Sequence, residues 1–512
     1  GGRKMRKKRI GALALAAIAA LPTLLIASGC GSDQTVVLRV FNWEEYIDEG
    51  GEDSWDGTED APAMIERFES WYEEQYGTPI RVEYSTFGTN EDMYNQLQLG
   101  DTYDLLCPSE YMIMKLAAED YLQPYDEDFL DPSIEGNYYA QNVSPYIRNM
   151  FESNRINKKD ADDTATWSDY AAGYMWGVTG FIYNTDYVEL DDLTQLGWDV
   201  MRAPQYRNKV TTKDNVRDSY FVALAICYRD EIAALDRNAP DYGVKLAEIL
   251  NRTDDETIDR VETIMQEMDE NIYGYETDTG KADIVNGNIW LNFAWSGDAV
   301  YAMDLAEEED GVSLNFFIPE DCANLWFDGW VMPKGANKQA AQAFVNFLSM
   351  PENAVRNMYY IGYSGVIAGE EVLDYVKECY EIDPEEYESE EDYTAYDLSY
   401  FFGDTVGEGE AVFLADREQA ESRQLHAHYP TYEVTRRCAV MDYYGEEANE
   451  SINELWSRIK SETLDTWAIV VICVGIVLVV AAVLMMKFGG KFDFFRLPSK
   501  KGYKLVKQEN CK

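Results

Sequence analysis

The sequence predicts an α/β fold, on three observations. Short β-branched runs alternate with segments of helical period through most of the chain. Hydrophobic residues make up 46% and aromatics 13% of the composition, ample for a large core. No internal repeat interrupts the alternation. At about 150 residues per domain, 512 residues allow roughly three domains.

Residues 36–41 form a β-branched run that reads as a strand. Residues 62–76 then place Met64, Ile65, Phe68, Trp71 and Tyr72 at helical spacing, with Gly77 as the stop. A strand at 80–84, a helix at 90–99 and a strand at 103–107 follow, the last leading into a helix at 111–118. Such alternation predicts a parallel sheet with helices on both faces. It returns at 177–183, 209–212, 219–228, 289–293, 314–318 and 338–348. Two acidic stretches, 48–60 and 378–393, read as solvated insertions. The first does not space its carboxylates as a calcium loop does.

The two ends differ from the middle. Residues 1–30 carry six basic and no acidic residues, and 467–512 carry eight basic residues with only Asp493 and Glu509. The segment 31–466 therefore holds 29 basic and 92 acidic residues, a charge of −63. A surface that negative repels phosphate backbones, which excludes nucleic acid as a partner. With Met5 as initiator, Arg6 to Arg9 form a basic region ahead of an apolar stretch at 10–27, the pattern of an export signal. It closes on Ala27-Ser28-Gly29-Cys30, which resembles a bacterial lipobox with Ala27 where Leu is usual, so Cys30 is the expected lipidation site.

Residues 467–486 are 20 consecutive apolar residues, enough to cross a hydrocarbon core as a helix. Lys487, Lys491, Arg496, Lys500 and Lys501 follow directly, so the tail at 487–512 is expected in the cytoplasm and the acidic middle outside the membrane. Five cysteines remain there: Cys107, Cys227, Cys322, Cys379 and Cys438. Their odd number and wide spacing suggest neither a disulfide framework nor a metal site, though one or two bridges stay open. The two histidines, His426 and His428, read as exposed side chains, and no cofactor is expected.

In an open α/β sheet, ligands collect at the carboxyl ends of strands. The segments found there are Asn42-Trp43-Glu44-Glu45-Tyr46, Pro108-Ser109-Glu110-Tyr111, Asp214-Asn215-Val216-Arg217-Asp218, Ala294-Trp295-Ser296-Gly297-Asp298 and Leu325-Trp326-Phe327-Asp328. Aromatics and carboxylates recur, with few lysines beside them. That pairing suits a primary amine: carboxylates accept its N–H bonds, while aromatic faces attract the cation and cover its methylenes.

With these motifs in view, residues 36–460 resemble the spermidine/putrescine-binding proteins of bacterial ABC importers. The carriers are Asn42-Trp43-Glu44-Glu45-Tyr46, the run Tyr103 to Tyr111, Trp326-Phe327-Asp328 with Met332-Pro333, and Ile361-Gly362-Tyr363. The resemblance implies a two-lobed, flytrap-like periplasmic-binding-protein fold, here with a C-terminal transmembrane helix. Lobe 1 would comprise 31–175 and 326–362, lobe 2 would comprise 176–325, and helices at 363–465 would lie on lobe 2. It also implies a polyamine ligand, an ABC permease as partner, and no catalysis. The ligand residues carried over are Trp43, Glu45, Tyr46, Ser109, Tyr111, Asp218, Trp295, Asp298, Trp326, Asp328 and Tyr363. Asn215 stands where some members have Asp. Asp298 matches the acid that the putrescine-selective type carries in Trp-x-Gly-Asp. Two other classes remain open: a carbohydrate- or other solute-binding lipoprotein, which would not call for convergent carboxylates, and a secreted glycoside hydrolase, which needs a spaced carboxylate pair that no motif picks out.

Overall fold

The computed structural model describes residues 35–158, 163–308 and 311–462, together with residue 474. The export signal with Cys30, the apolar stretch at 467–486 (residue 474 apart) and the tail at 487–512 lie outside the described residues. Among the described residues no helix is long and apolar enough to cross a membrane. The chain divides into two compact units, Gly1–Leu455 and Trp456–Lys512, and the fold described here is that of the first.

β1 (Val36–Trp43) runs parallel to β2 (Ile80–Phe87) on one side and β3 (Leu105–Leu106) on the other. The helices between them follow the periodicity. α1 (Met64–Tyr76) buries Met64, Phe68 and Tyr72, one residue per turn, and stops at Gly77 in the left-handed region at φ 66°. α2 (Asn90–Leu99) begins at Thr89, whose side chain accepts the Asp92 N–H, and α3 (Glu110–Ala118) follows β3 directly.

The expectation of a parallel sheet is corrected by what comes next. After the short β4 (Leu122–Gln123), β5 (Ala171–Asn184) is buried over its whole length. The chain continues through β6 (Val210–Lys213), β7 (Gly274–Glu276), β8 (Leu291–Trp295), β9 (Leu314–Phe317) and β10 (Ala323–Pro333). The main path of the sheet is β2-β1-β3-β10-β5-β8-β6-β7. β10 is antiparallel to both β3 and β5, and β5 is antiparallel to β8 and β9, so the sheet is mixed. The physical reason is connectivity. A chain that crosses from one half of a sheet to the other and then returns must place the two crossing strands in opposite directions.

β5 changes partners along its length. Residues 171–178 pair with β10, and residues 179–184 pair with β8 and β9. The short β11 (Ser364–Gly365) pairs with β5 at Trp176 and Met175. The stretches near 175–179 in β5, 326–331 in β10 and 364–365 in β11 therefore lie side by side. The β5–β10 register shifts between Asp328 and Gly329, where Asp328 faces Met175 but Gly329 faces Gly173. Tyr174 is the extra residue of this bulge, and its hydroxyl donates to the Tyr46 carbonyl at 2.8 Å.

In the second half, β6 runs parallel to β7 and β8 and leads into the buried helix Val216–Cys227. β12 (Tyr393–Asp397) and β13 (Val412–Asp416) form a separate antiparallel pair, and β14 (Cys438–Ala439) joins β10 in parallel. Aromatic packing ties α1 to the sheet, with Phe68 edge-on to Phe344 at 4.9 Å and Phe344 edge-on to Trp330 at 5.7 Å.

Two smaller expectations resolve here. Among the described residues, Cys107, Cys227, Cys322, Cys379 and Cys438 form no disulfide with one another. The histidines are not exposed. His428 is buried, with its ring nitrogens 2.6 Å from the Tyr380 hydroxyl and 2.7 Å from the Gly362 carbonyl. Burial pushes His426 down to about 4. The cause is tertiary: the helix Gln424–His428 packs against the helix Ser296–Glu308, with Gln424 bonded to Asp304.

Candidate functional site

Asn42, the next-to-last residue of β1, is fully buried, and its amide donates to the Tyr46 carbonyl (3.3 Å) and the Tyr84 hydroxyl (2.9 Å). This folds the Asn42–Tyr46 segment into a turn in which Glu45 takes a left-handed φ of 52°, rare without glycine. The turn leaves Glu44 and Glu45 exposed and buries Tyr46. The Tyr46 hydroxyl donates to Asp328 Oδ2 at 2.8 Å. Ser109, which precedes α3, donates to Asp328 Oδ1 at 2.8 Å, so both oxygens of this carboxylate are held. Asp328 is 6% exposed. Burial pushes its carboxyl up to about 6, and the Ser109 and Tyr46 hydrogen bonds pull the other way.

Asn90 links the next residues. Its amide nitrogen donates to Ser109 Oγ (3.1 Å) and the Tyr111 hydroxyl (3.0 Å), and its oxygen accepts the Ser109 N–H (3.1 Å). Tyr111 in turn donates to Glu91 at 3.2 Å. Burial raises Glu91, and it pushes Glu110 up to about 8, where the Phe327 N–H donates to its carboxyl.

Tyr363 stands at the centre. Its ring meets Tyr46 edge-on at 5.5 Å and Trp326 edge-on at 5.7 Å. Its hydroxyl donates to Asp298 Oδ1 at 2.9 Å. Two glycines make room for these rings. A Cβ on Gly297 would fall 2.2 Å from the Tyr363 ring, and one on Gly177 would fall 2.6 Å from Trp326.

Asp298 is already paired. Lys213 Nζ lies 3.2 Å from its Oδ2, and Lys281 Nζ lies 3.3 Å from its Oδ1. Burial works to raise the Asp298 carboxyl, but Lys213 and Lys281 outweigh it and hold it below the usual range. Lys213 also reaches Glu276 at 3.1 Å and sits 4.4 Å from the centre of the Trp295 ring. Asp218, on the helix after β6, is 5% exposed and has no ion pair among the described residues. Burial pushes it up to about 6, against Lys213 and a hydrogen bond from Trp295.

Most sequence-predicted site residues thus join one network: Tyr46, Ser109, Tyr111, Asp218, Trp295, Asp298, Trp326, Asp328 and Tyr363. Three stand apart. Asn215 caps its helix, accepting the N–H groups of Arg217 (2.8 Å) and Asp218 (3.3 Å). Trp43 packs on Phe87 at 4.6 Å, with its indole N–H buried and unpartnered. Glu45 points outward as an exposed side chain.

The deciding observation is the match of residues 63–379 to the bacterial extracellular solute-binding protein family. The chain belongs to that family. Members bind solutes outside the cytoplasm rather than turning them over, which settles binding against catalysis. The resemblance read from the motifs is borne out. The spermidine/putrescine-binding periplasmic protein of Salmonella typhimurium is 26% identical over 330 residues, covering 64% of this chain and 76% of the relative. The Escherichia coli putrescine-binding periplasmic protein PotF is 25% identical over 349 residues, covering 66% and 80%. Among solved structures, the spermidine/putrescine substrate-binding protein PotD of Streptococcus pneumoniae superposes with a TM-score of 0.53 at 23% identity, covering 83% of this chain and 99% of that one. A spermidine/putrescine transporter protein of Listeria monocytogenes gives 0.55 at 23% identity with the same coverage. These likenesses establish the two-lobed binding-protein fold.

Sequence reasoning missed Lys213, Lys281, Arg217 and Asn90. Asn90 opens the helix after β2, so reading that strand end as the others were read would have found it. Arg217 lies inside a quoted segment; its guanidinium sits 3.7 Å from the Tyr444 ring centre and 4.6 Å from that of Tyr111. Lys213 is one residue beyond the strand read at 209–212, and nothing local joins it to Asp298, 85 positions away.

Proposed function

We propose that the protein is an extracytoplasmic receptor for putrescine or spermidine that delivers its ligand to an ABC importer. The observation that carries this is the pair Asp328 and Asp218: two buried carboxylates with no cation within ion-pair distance among the described residues, set among Tyr46, Tyr363, Trp326 and Trp295. An unpaired buried carboxylate is costly, and a ligand ammonium offsets that cost. The aromatic faces cover the methylenes between ammonium groups. The names of the relatives support the same ligand class.

In this reading lobe 1 comprises 31–175 and 326–362, lobe 2 comprises 176–325 with 363–465, and closure bends β5, β10 and the segment at β11. The stretch 467–486 anchors the protein to the membrane with 487–512 inside, and Cys30 carries a lipid. Calorimetric titration with putrescine, spermidine and maltose tests the ligand: binding of an amine and not of the sugar is expected, and the reverse overturns the reading. Protease applied to intact cells is expected to remove the globular part and spare the tail. Small-angle scattering is expected to show a smaller radius of gyration at saturating amine.

A further inference from the structure

We infer that Lys213 sets ligand length in this site, acting as a built-in ammonium that occupies the Asp298 end and restricts the receptor to the shorter diamine. The inference rests on the polyamine reading and deepens it.

Lys213 is 1% exposed, and all three of its ammonium donors are engaged: with the Thr277 carbonyl at 3.1 Å, Glu276 Oε1 at 3.1 Å and Asp298 Oδ2 at 3.2 Å. The same ammonium lies 4.4 Å from the Trp295 ring centre. Carboxylate on one side and indole face on the other are what a bound amine needs, and a side chain of the protein already holds that place. The other Asp298 oxygen takes Lys281 at 3.3 Å and the Tyr363 hydroxyl at 2.9 Å, so this carboxylate already carries two ammonium groups and a hydroxyl before any ligand arrives.

A third ammonium of a longer polyamine would therefore meet two fixed positive charges where the motif alone promises an acid. A diamine spanning only Asp328 and Asp218 needs no place on Asp298, although Lys213 also acts electrostatically on Asp218. Burial works to lower Lys213, yet Asp298 and Glu276 more than offset it, so the ammonium stays charged at neutral pH.

The test is calorimetry on the full-length protein with putrescine and spermidine, comparing wild type with Lys213→Met, which keeps length and removes charge. Because that change strands Glu276 and Asp298, the double variant Lys213→Met with Glu276→Gln serves beside it, and thermal melting establishes that each is folded. Wild type is expected to prefer putrescine at least tenfold, and the folded variant to shift the ratio at least tenfold toward spermidine. A ratio unchanged within twofold in a folded variant, with wild type binding amines normally, overturns this inference and leaves the receptor reading standing. Wild type that binds neither amine overturns both.

Discussion

Asp328 and Asp298 are both almost fully buried, and each accepts a tyrosine hydroxyl, from Tyr46 and Tyr363 respectively. Their carboxyls nevertheless move in opposite directions. Burial without a cation carries Asp328 up to about 6, whereas Lys213 and Lys281 hold Asp298 below the ordinary range. The Asp298 end is a finished internal ion cluster that contributes to the fold. The Asp328 end is an unfinished one, stable enough to be held by hydroxyls and short of a positive charge. That difference separates a carboxylate that holds the protein together from one prepared to meet a cation from outside.

The comparison breaks most visibly at Asp298. Removing one partner from a buried ion cluster costs about 3–5 kcal/mol, so Asp298→Asn is expected to lower the unfolding free energy by that amount in urea melts. A loss below about 1 kcal/mol, within the range of exposed pairs, means the two lysines find other partners. Asp328→Asn is expected to act on the other axis. A charge-assisted bond contributes about 1.5–3 kcal/mol, and a stranded cation raises the loss toward 3–5 kcal/mol. At tenfold per 1.4 kcal/mol, polyamine affinity should fall roughly 10- to 1,000-fold. The unliganded variant should melt no earlier than wild type at pH 7.5, because it loses a buried charge and not a paired one. Survival of affinity within twofold removes Asp328 as the anchor.

pH sharpens the contrast with two opposite signs. Asp328 and Asp218 stand at about 6 in the free protein, above the ordinary carboxylate value. A cation favours their ionised forms, so affinity should be flat above about pH 7 and fall through pH 6, by about tenfold per unit for each carboxylate that must ionise. Ligand amines, titrating near 10 as lysine does, stay charged throughout. Titrations in two buffers of different ionisation enthalpy should register proton release near pH 6. In the unliganded protein these two raised acids lose stability as pH rises from the ordinary value toward 6. Asp298 does the reverse: its contribution is present above the ordinary carboxylate value and lost as pH falls through its lowered one.

The smallest effects come from the tyrosines. Tyr46→Phe removes one of two hydroxyl donors to Asp328 and should cost about 0.5–1.5 kcal/mol in ligand affinity, while moving the pH midpoint upward. Tyr363→Phe leaves Asp298 with both lysines and should cost less in stability than Asp298→Asn by several-fold. Equal effects on binding from the two changes would erase the distinction between the ends of the site.

The order of elements was legible because it is local. α2 at 90–99 and the helix Lys338–Leu348 fall where periodicity and caps place them, since a Thr, Asn or Gly at a helix end satisfies backbone groups within a turn. The buried strand β5 was legible only in part, because a strand covered on both faces shows no alternation. Its antiparallel course depends on where the chain returns, which no short window contains.

The candidate site divides the same way. Residue types and their places near strands determined that aromatics and carboxylates are at hand for a site, although Trp326 and Asp328 lie inside β10 rather than at its carboxyl end. Which carboxylates stay unpaired was decided by tertiary structure alone. Asp298 and Asp328 follow the same Trp-rich pattern in sequence, but only folding brings Lys213 and Lys281 to the first and leaves the second facing hydroxyls. Charge pairing acts over a few ångströms in space, and the chain separation of the partners carries no trace of it.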